Sequence, residues 1–266
     1  MKTCLYFTFF GKEATCPLVF LHGFMGRAAS FLPLVSYLPE NVGSVGIDLP
    51  GHGNSLFTGS SCIDALQSFA DVSSMILEDL DILGIRRFFI YGYSMGGRIA
   101  QQVALAAPDR VRALIIESAA FGIADLQARK TRYASDRRLF DQIRCEKDFE
   151  AFINRWHDMS LFATLSPESK ARLATEKRAN DISQLKKAMA LLSVGRQPYL
   201  LPELSAARFP MFLFYGAKDA KYMAIAADAA ELIPKACFHV FPGASHDIHT
   251  QYPREVAHVI AGLIRS

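Results

Sequence analysis

No apolar run in this 266-residue chain approaches the ~20 residues that a membrane-spanning helix requires. Cysteine is sparse and scattered: Cys4, Cys16, Cys62, Cys145 and Cys237 are odd in number and show no C-x-x-C spacing. That pattern argues against a zinc site or a disulfide framework and favours a reducing compartment, with the cytoplasm as the expected location. A net charge of +3 gives no global support for a nucleic-acid partner. The first ten residues are apolar and aromatic, but Gly11-Lys12-Glu13 follows at once and no small-x-small cleavage site appears. Residues 3–10 therefore read as an edge strand, not a signal peptide. There are no internal repeats and no low-complexity segments.

What is present is an alternation of short apolar runs with amphipathic stretches. Strands are expected at residues 3–10, 17–21, 42–48, 88–91, 111–116, 210–215 and 236–241. The run at 17–21 is almost continuously hydrophobic, as in a strand covered on both faces. Helices are expected at Ser30–Leu38, Ile63–Leu83, the stretch after Ser94, and Arg254–Ile264. This rhythm predicts an α/β fold with a mostly parallel sheet and helices on both faces. It is broken over residues 123–195, a helical, charged block that divides a core of residues 1–122 and 196–266. Residues 125–187 alone carry 14 of the 29 Lys/Arg against 10 of the 26 Asp/Glu. Most of those charges read as a solvated surface, yet a few arginines there could face an anionic ligand. An insertion between two strands of such a sheet lies over their carboxyl ends, where ligands bind.

The chemistry centres on Gly92-x-Ser94-x-Gly96, between an apolar run and a small-residue helical pattern. This is the nucleophile-elbow arrangement, in which glycines two positions either side clear space for a strained turn. A serine needs a base, and the base needs a carboxylate to orient it. Asp219 and His246 each fall just past a strand's carboxyl end and complete the chain order Ser, acid, His. Glu117, after the strand that follows the elbow helix, remains a rival acid. His239 falls within a strand and His52 within a turn, which suit structural roles. His249 lies one turn from His246 without a donor set that completes a metal site. The His22-Gly23-Phe24 loop and the residue after the nucleophile offer the backbone N–H groups of Phe24 and Met95 as an oxyanion hole.

These motifs, with Asp48-Leu49-Pro50-Gly51-His52-Gly53 and Gly243-Ala244-Ser245-His246, resemble the α/β-hydrolase superfamily along the whole chain. More narrowly, the sequence resembles the 2-succinyl-6-hydroxy-2,4-cyclohexadiene-1-carboxylate (SHCHC) synthases of menaquinone biosynthesis. The narrower likeness rests on Arg98, Glu117-Ser118-Ala119, Arg129-x-x-Arg132, Ser135-Asp136-Arg137, Trp156, Phe162, Gly195-Arg196-Gln197-Pro198 and Gly216-x-x-Asp219-x-Lys221. The resemblance implies a lyase that removes a proton and expels pyruvate, with Ser94 as base, activated by His246 and Asp219. It implies that Arg98, Arg132 and Lys221 bind carboxylates of a tricarboxylate substrate, and that Tyr93 and Trp156 shape the pocket. A further cap arginine of the family aligns with Lys177, beside Arg178; the resemblance leaves open which of the two, if either, contacts substrate, with Arg178 favoured over Lys177. A serine hydrolase of esters, thioesters or C–C bonds is the alternative, and a non-catalytic binding protein would be expected to lack a triad member. No cofactor, metal, nucleic acid or membrane is expected, and the chain is expected to act as a monomer or small homo-oligomer. If Asp219 orients His246, Asp219→Asn lowers kcat/KM far more than Glu117→Gln in parallel kinetics; the reverse order would move the acid to Glu117.

Overall fold

The computed structural model describes every residue except Met1, Lys12, Glu13, Thr15, Ser60 and Ser266, so the expected charge punctuation at Lys12 and Glu13 lies outside the described residues. In chain order, β1 (Tyr6–Phe10), β2 (Leu18–Leu21), a short α1 (Leu32–Val35) and β3 (Ser44–Asp48) come first. They are followed by α2 (Phe69–Ile82), β4 (Phe88–Tyr93), α3 (Met95–Ala106) and β5 (Val111–Glu117). Next come four helices without a strand: α4 (Leu126–Asp141), α5 (Glu146–His157), α6 (Pro167–Arg178) and α7 (Ile182–Leu192). The remainder is α8 (Leu201–Ser205), β6 (Met211–Gly216), α9 (Ala220–Leu232), β7 (Cys237–Phe241), α10 (Ile248–Gln251) and α11 (Pro253–Arg265).

The seven strands form one sheet in the order β1-β3-β2-β4-β5-β6-β7, with β1 antiparallel at one edge and every other pairing parallel. The period-2 geometry of strands sorts the core into two layers. Val19, Leu21, Ile90, Leu114 and Ile116 face the layer that includes α2 and α3. Leu18, Phe20, Phe89, Tyr91 and Ile115 face the layer that includes Leu34 of α1 and Val256 and Ile260 of α11. Buried on both faces, these strands have no polar side for water, which is why their sequences read as continuous apolar runs. The fold is the α/β-hydrolase fold.

Three expectations are corrected. The helix anticipated over Ile63–Leu83 is two pieces: a 3-10 turn at Cys62–Ala65, then a break with Leu66 extended (ψ 129°). Helix α2 restarts because the Ser68 side chain accepts the Asp71 amide, a local cap that outcompetes the continuous apolar pattern. The helix anticipated over Ser30–Leu38 is likewise a 3-10 turn at Ala28–Phe31 leading into the four residues of α1. Third, Cys4 and Cys62 form a disulfide, a single bond that the reading against a disulfide framework did not anticipate, while Cys16, Cys145 and Cys237 are free. The lead-in to β1 is tied beside α2, where Asp79 accepts the Cys4 and Leu5 amides at 2.8 Å, and this brings two cysteines 58 residues apart into bonding range. Among the described residues, no helix is long and apolar enough to cross a membrane.

Beneath the carboxyl ends of β4 and β5 lies a buried polar knot. Glu117 accepts the Ile248 amide at 2.6 Å and the His249 amide at 3.1 Å, and it accepts a hydrogen bond from the Tyr91 hydroxyl. The His249 ring nitrogen Nδ1 lies 3.0 Å from Glu117 and 3.4 Å from Asp247. Burial alone would depress this imidazole. The facing carboxylates of Glu117 and Asp247, the hydrogen bond to Glu117 and the more distant Glu176 outweigh it and raise its pKa to about 9. Phe31 and Tyr93 cover the ring with apolar surface. The folded value lies above the unfolded value of about 6.5, so this stabilisation is full below that pH and is lost as pH rises through about 9. Thermal unfolding should therefore show Tm falling between pH 7 and 9.5, and the fall should shrink in His249→Asn; an identical profile in both proteins would exclude the charged pair.

Candidate active site

Ser94 joins β4 to α3 with φ +50° and ψ −107°, a backbone state that non-glycine residues rarely adopt. Its neighbours make this possible. A Cβ on Gly92 would sit 2.5 Å from the Gly96 carbonyl oxygen, and one on Gly96 would collide with the Leu21 carbonyl of β2. The Ser94 amide donates to the Glu117 carbonyl at 2.8 Å, which pins the turn to the end of β5.

The elbow faces the other two residues of a triad. Asp219 caps α9, with Oδ1 accepting the Tyr222 amide at 3.2 Å and Oδ2 lying 2.8 Å from His246 Nδ1. A carboxylate can only accept, so Nδ1 carries the hydrogen and Nε2 is left to accept the Ser94 hydroxyl, 3.0 Å away. Asp219 and His246 are both buried, and the Tyr222 ring packs 4.5 Å from the imidazole. Glu117, the rival acid, has its carboxylate committed to Tyr91, the α10 amides and His249. Its contact with the histidine loop is two residues past His246, so it holds the loop and not the ring.

Ser94 and His246 open on a cavity of about 420 Å³ between the sheet's carboxyl edge and α4–α7. Phe24 and Met95 line it, and among the described residues neither amide has a hydrogen-bond partner. Two arginines and two lysines line the same space: Arg98, Arg132, Lys177 and Lys221. Arg98 donates to the Leu192 carbonyl at 2.8 Å and lies 5.5 Å over the Phe69 ring. Burial lowers its pKa to about 10, still well above neutrality. Lys177 and Lys221 are also pushed down, chiefly by burial; Arg132 adds to the effect at Lys221. Arg132 donates from Nε to Asp136 at 2.7 Å. Trp156 sits between Phe24 and Phe162 at 6.0 and 6.2 Å, and Tyr93 packs 5.6 Å from His246.

Arg178 is corrected. It is half-exposed and pairs with Glu150 at 2.8 Å, away from the cavity. Consecutive helical residues point about 100° apart, and on α6 it is Lys177 that turns inward. Sequence reasoning also missed Asp136, Ser193 and Glu176, although Asp136 stood inside one of the motifs that carried the resemblance. The remaining histidines are structural in their surroundings. Burial lowers His52 to about 3 and His157 to about 4, and the His239 ring packs 5.3 Å from Phe214. One trio among the described residues, Glu117, Asp247 and His249, has donor atoms within 4.8 Å of one another. Its Glu117 oxygens already serve two amides and Tyr91, and a protonated imidazole supplies the positive charge, so it is not an open ligand set.

A sequence profile of the alpha/beta hydrolase family matches residues 18–259. The chain is 32% identical over 255 residues to the 2-succinyl-6-hydroxy-2,4-cyclohexadiene-1-carboxylate synthase of Salmonella newport, covering 96% of each. The synthase of the same name from an Enterobacter strain is also 32% identical over 255 residues, 96% of this chain and 94% of that one. Among solved structures, MenH from S. aureus superposes with a TM-score of 0.86 at 26% identity over 97% of both chains. The chain is an enzyme that belongs to the α/β-hydrolase family, among the 2-succinyl-6-hydroxy-2,4-cyclohexadiene-1-carboxylate synthases.

Proposed function

We propose that the protein is a carbon–oxygen lyase that converts 2-succinyl-5-enolpyruvyl-6-hydroxy-3-cyclohexene-1-carboxylate into SHCHC and pyruvate, a step of menaquinone biosynthesis. The observation that carries the reading is the set of two arginines and two lysines, Arg98, Arg132, Lys177 and Lys221, lining one cavity with Ser94. A site for small neutral esters has no use for them. A tricarboxylate does, because each carboxylate leaving water must be compensated by charge or hydrogen bonds. The names of the relatives support the product.

In this reading Asp219 fixes the His246 tautomer, and Nε2 draws the proton from Ser94 as the serine oxygen removes a ring proton from the substrate. The freed electron pair forms the C2–C3 double bond, and the ring's existing C3–C4 double bond moves to C4–C5, which expels the oxygen at C5. The C–O bond to the enolpyruvyl group breaks with its pair on the departing oxygen, and that enolate gains a proton at carbon to become pyruvate. Negative charge spreads onto the conjugated succinyl carbonyl during proton removal, where the Phe24 and Met95 amides can donate. Ser94 acts as a base and forms no covalent bond, and no water attacks. Trp156 and Tyr93 supply flat walls for the ring. Residues 123–195 act as a cap whose cations recognise the substrate, with the rest of the chain as the catalytic core.

Incubation with this substrate should release pyruvate together with a rise in diene absorbance, and both should vanish in Ser94→Ala. Arg98→Ala should cost on the order of 2–4 kcal/mol of transition-state stabilisation, read from kcat/KM. Absent turnover with rapid cleavage of p-nitrophenyl esters would make the protein a serine hydrolase instead.

A further inference from the structure

The carboxyl end of α7 and the residue after it reach both cavity arginines, Arg98 directly and Arg132 through Asp136. The carbonyl of Leu192, in the last turn of α7 where helix carbonyls lack internal partners, accepts from Arg98 at 2.8 Å. Ser193 is fully buried, and its Oγ accepts the Gly195 amide at 3.0 Å. With that lone pair used, its single proton goes to Asp136 Oδ2 at 2.7 Å. The other Asp136 oxygen takes Arg132 Nε at 2.7 Å. A directional relay thus runs from the Gly195 amide through Ser193 and Asp136 to the guanidinium, and each link fixes the polarity of the next.

An (i, i+4) pair on a helix surface, as Arg132–Asp136 is by spacing, is ordinarily worth a few tenths of a kcal/mol. This one is different in its surroundings. Asp136 is buried at the cavity wall, and its second oxygen is held by a hydroxyl that solvent does not reach. Arg132 is a long side chain, 38% exposed, and would otherwise spend its rotamer freedom on ordering against a ligand. With Nε committed to Asp136, its two terminal nitrogens are presented as a fork.

We propose that Ser193 and Asp136 are positioning residues: they hold Arg132, as the Leu192 carbonyl holds Arg98, so that the α7 turn sets the spacing of two carboxylate-gripping guanidiniums. This rests on the carboxylate-binding role given to those arginines above. It adds a determinant of specificity, since a ligand must carry carboxylates at the separation the turn dictates.

The test is a double-mutant cycle of Ser193→Ala and Arg132→Ala with pyruvate release as readout. Ser193→Ala should raise KM about tenfold, the scale of one charged hydrogen bond, with kcat falling less than KM rises. In the Arg132→Ala background it should change KM no further. Equal effects in both backgrounds, or an unchanged KM, would overturn the proposal. Where Ser193→Ala does not fold, Asp136→Asn takes its place in the cycle. If the wild-type protein releases no pyruvate, the lyase reading fails, and the same cycle is read on the Kd of citrate, a simple tricarboxylate, by calorimetry. Coupling between the two sites there sustains the positioning role; additivity, or no citrate binding to the wild-type protein, overturns it.

Discussion

One residue of β5 holds both halves of the catalytic apparatus in place. The main-chain carbonyl of Glu117 takes the Ser94 amide, and its carboxylate takes the two amides that begin α10, just after His246. The strained elbow and the loop carrying the base are therefore referred to a single point at the carboxyl edge of the sheet. A carboxylate with no solvent exposure would be very costly alone, and it persists because a tyrosine hydroxyl, two amides and an imidazolium surround it. Removing any of these leaves charge uncompensated under the nucleophile. The triad geometry depends on this knot as much as on the glycines of the turn.

The cavity's charge balance follows from how its acids are occupied. Asp136 is taken by Arg132 and Ser193, Glu176 by the Ser30 hydroxyl, and Asp247 by the Thr250 amide and the His249 ring. Burial pushes both lysine amines down, outweighing Asp247 and Glu176, which favour the charged form of Lys177, and Asp219 and Asp136, which favour that of Lys221. Arginines stand where geometry is fixed by helix α3 and the α7 turn, and lysines where a movable point charge suffices.

Much of this was legible from the residues. The elbow glycines, the positions of Asp219 and His246 after strands, and the unbroken apolar runs of β2 and β4 each follow from a local physical requirement. The break in residues 123–195 was visible because helical charge patterning replaces period-2 apolarity. What escaped were matters of orientation and distant pairing. Lys177 and Arg178 are adjacent, and only the packing of α6 decides which one turns inward. Glu117 ends β5 and Asp219 follows β6, and the choice between them depends on which loop β5 and β6 lie beside. The Cys4–Cys62 bond depends on β1 leading in beside α2, a contact that no local spacing encodes.

The helical block is attached to the base loop itself. The His246 amide donates to the Leu161 carbonyl at 3.0 Å, and the Thr164 hydroxyl sits between Ser245 and Gln251 at 2.8 and 2.6 Å. Any motion that lifts this segment to admit a ligand pulls on the residues flanking the imidazole. The helical block and the loop that carries His246 are thus mechanically tied, and a displacement of one strains the hydrogen bonds that place the other. The position of the imidazole and the position of the block above it are therefore one geometric variable, not two.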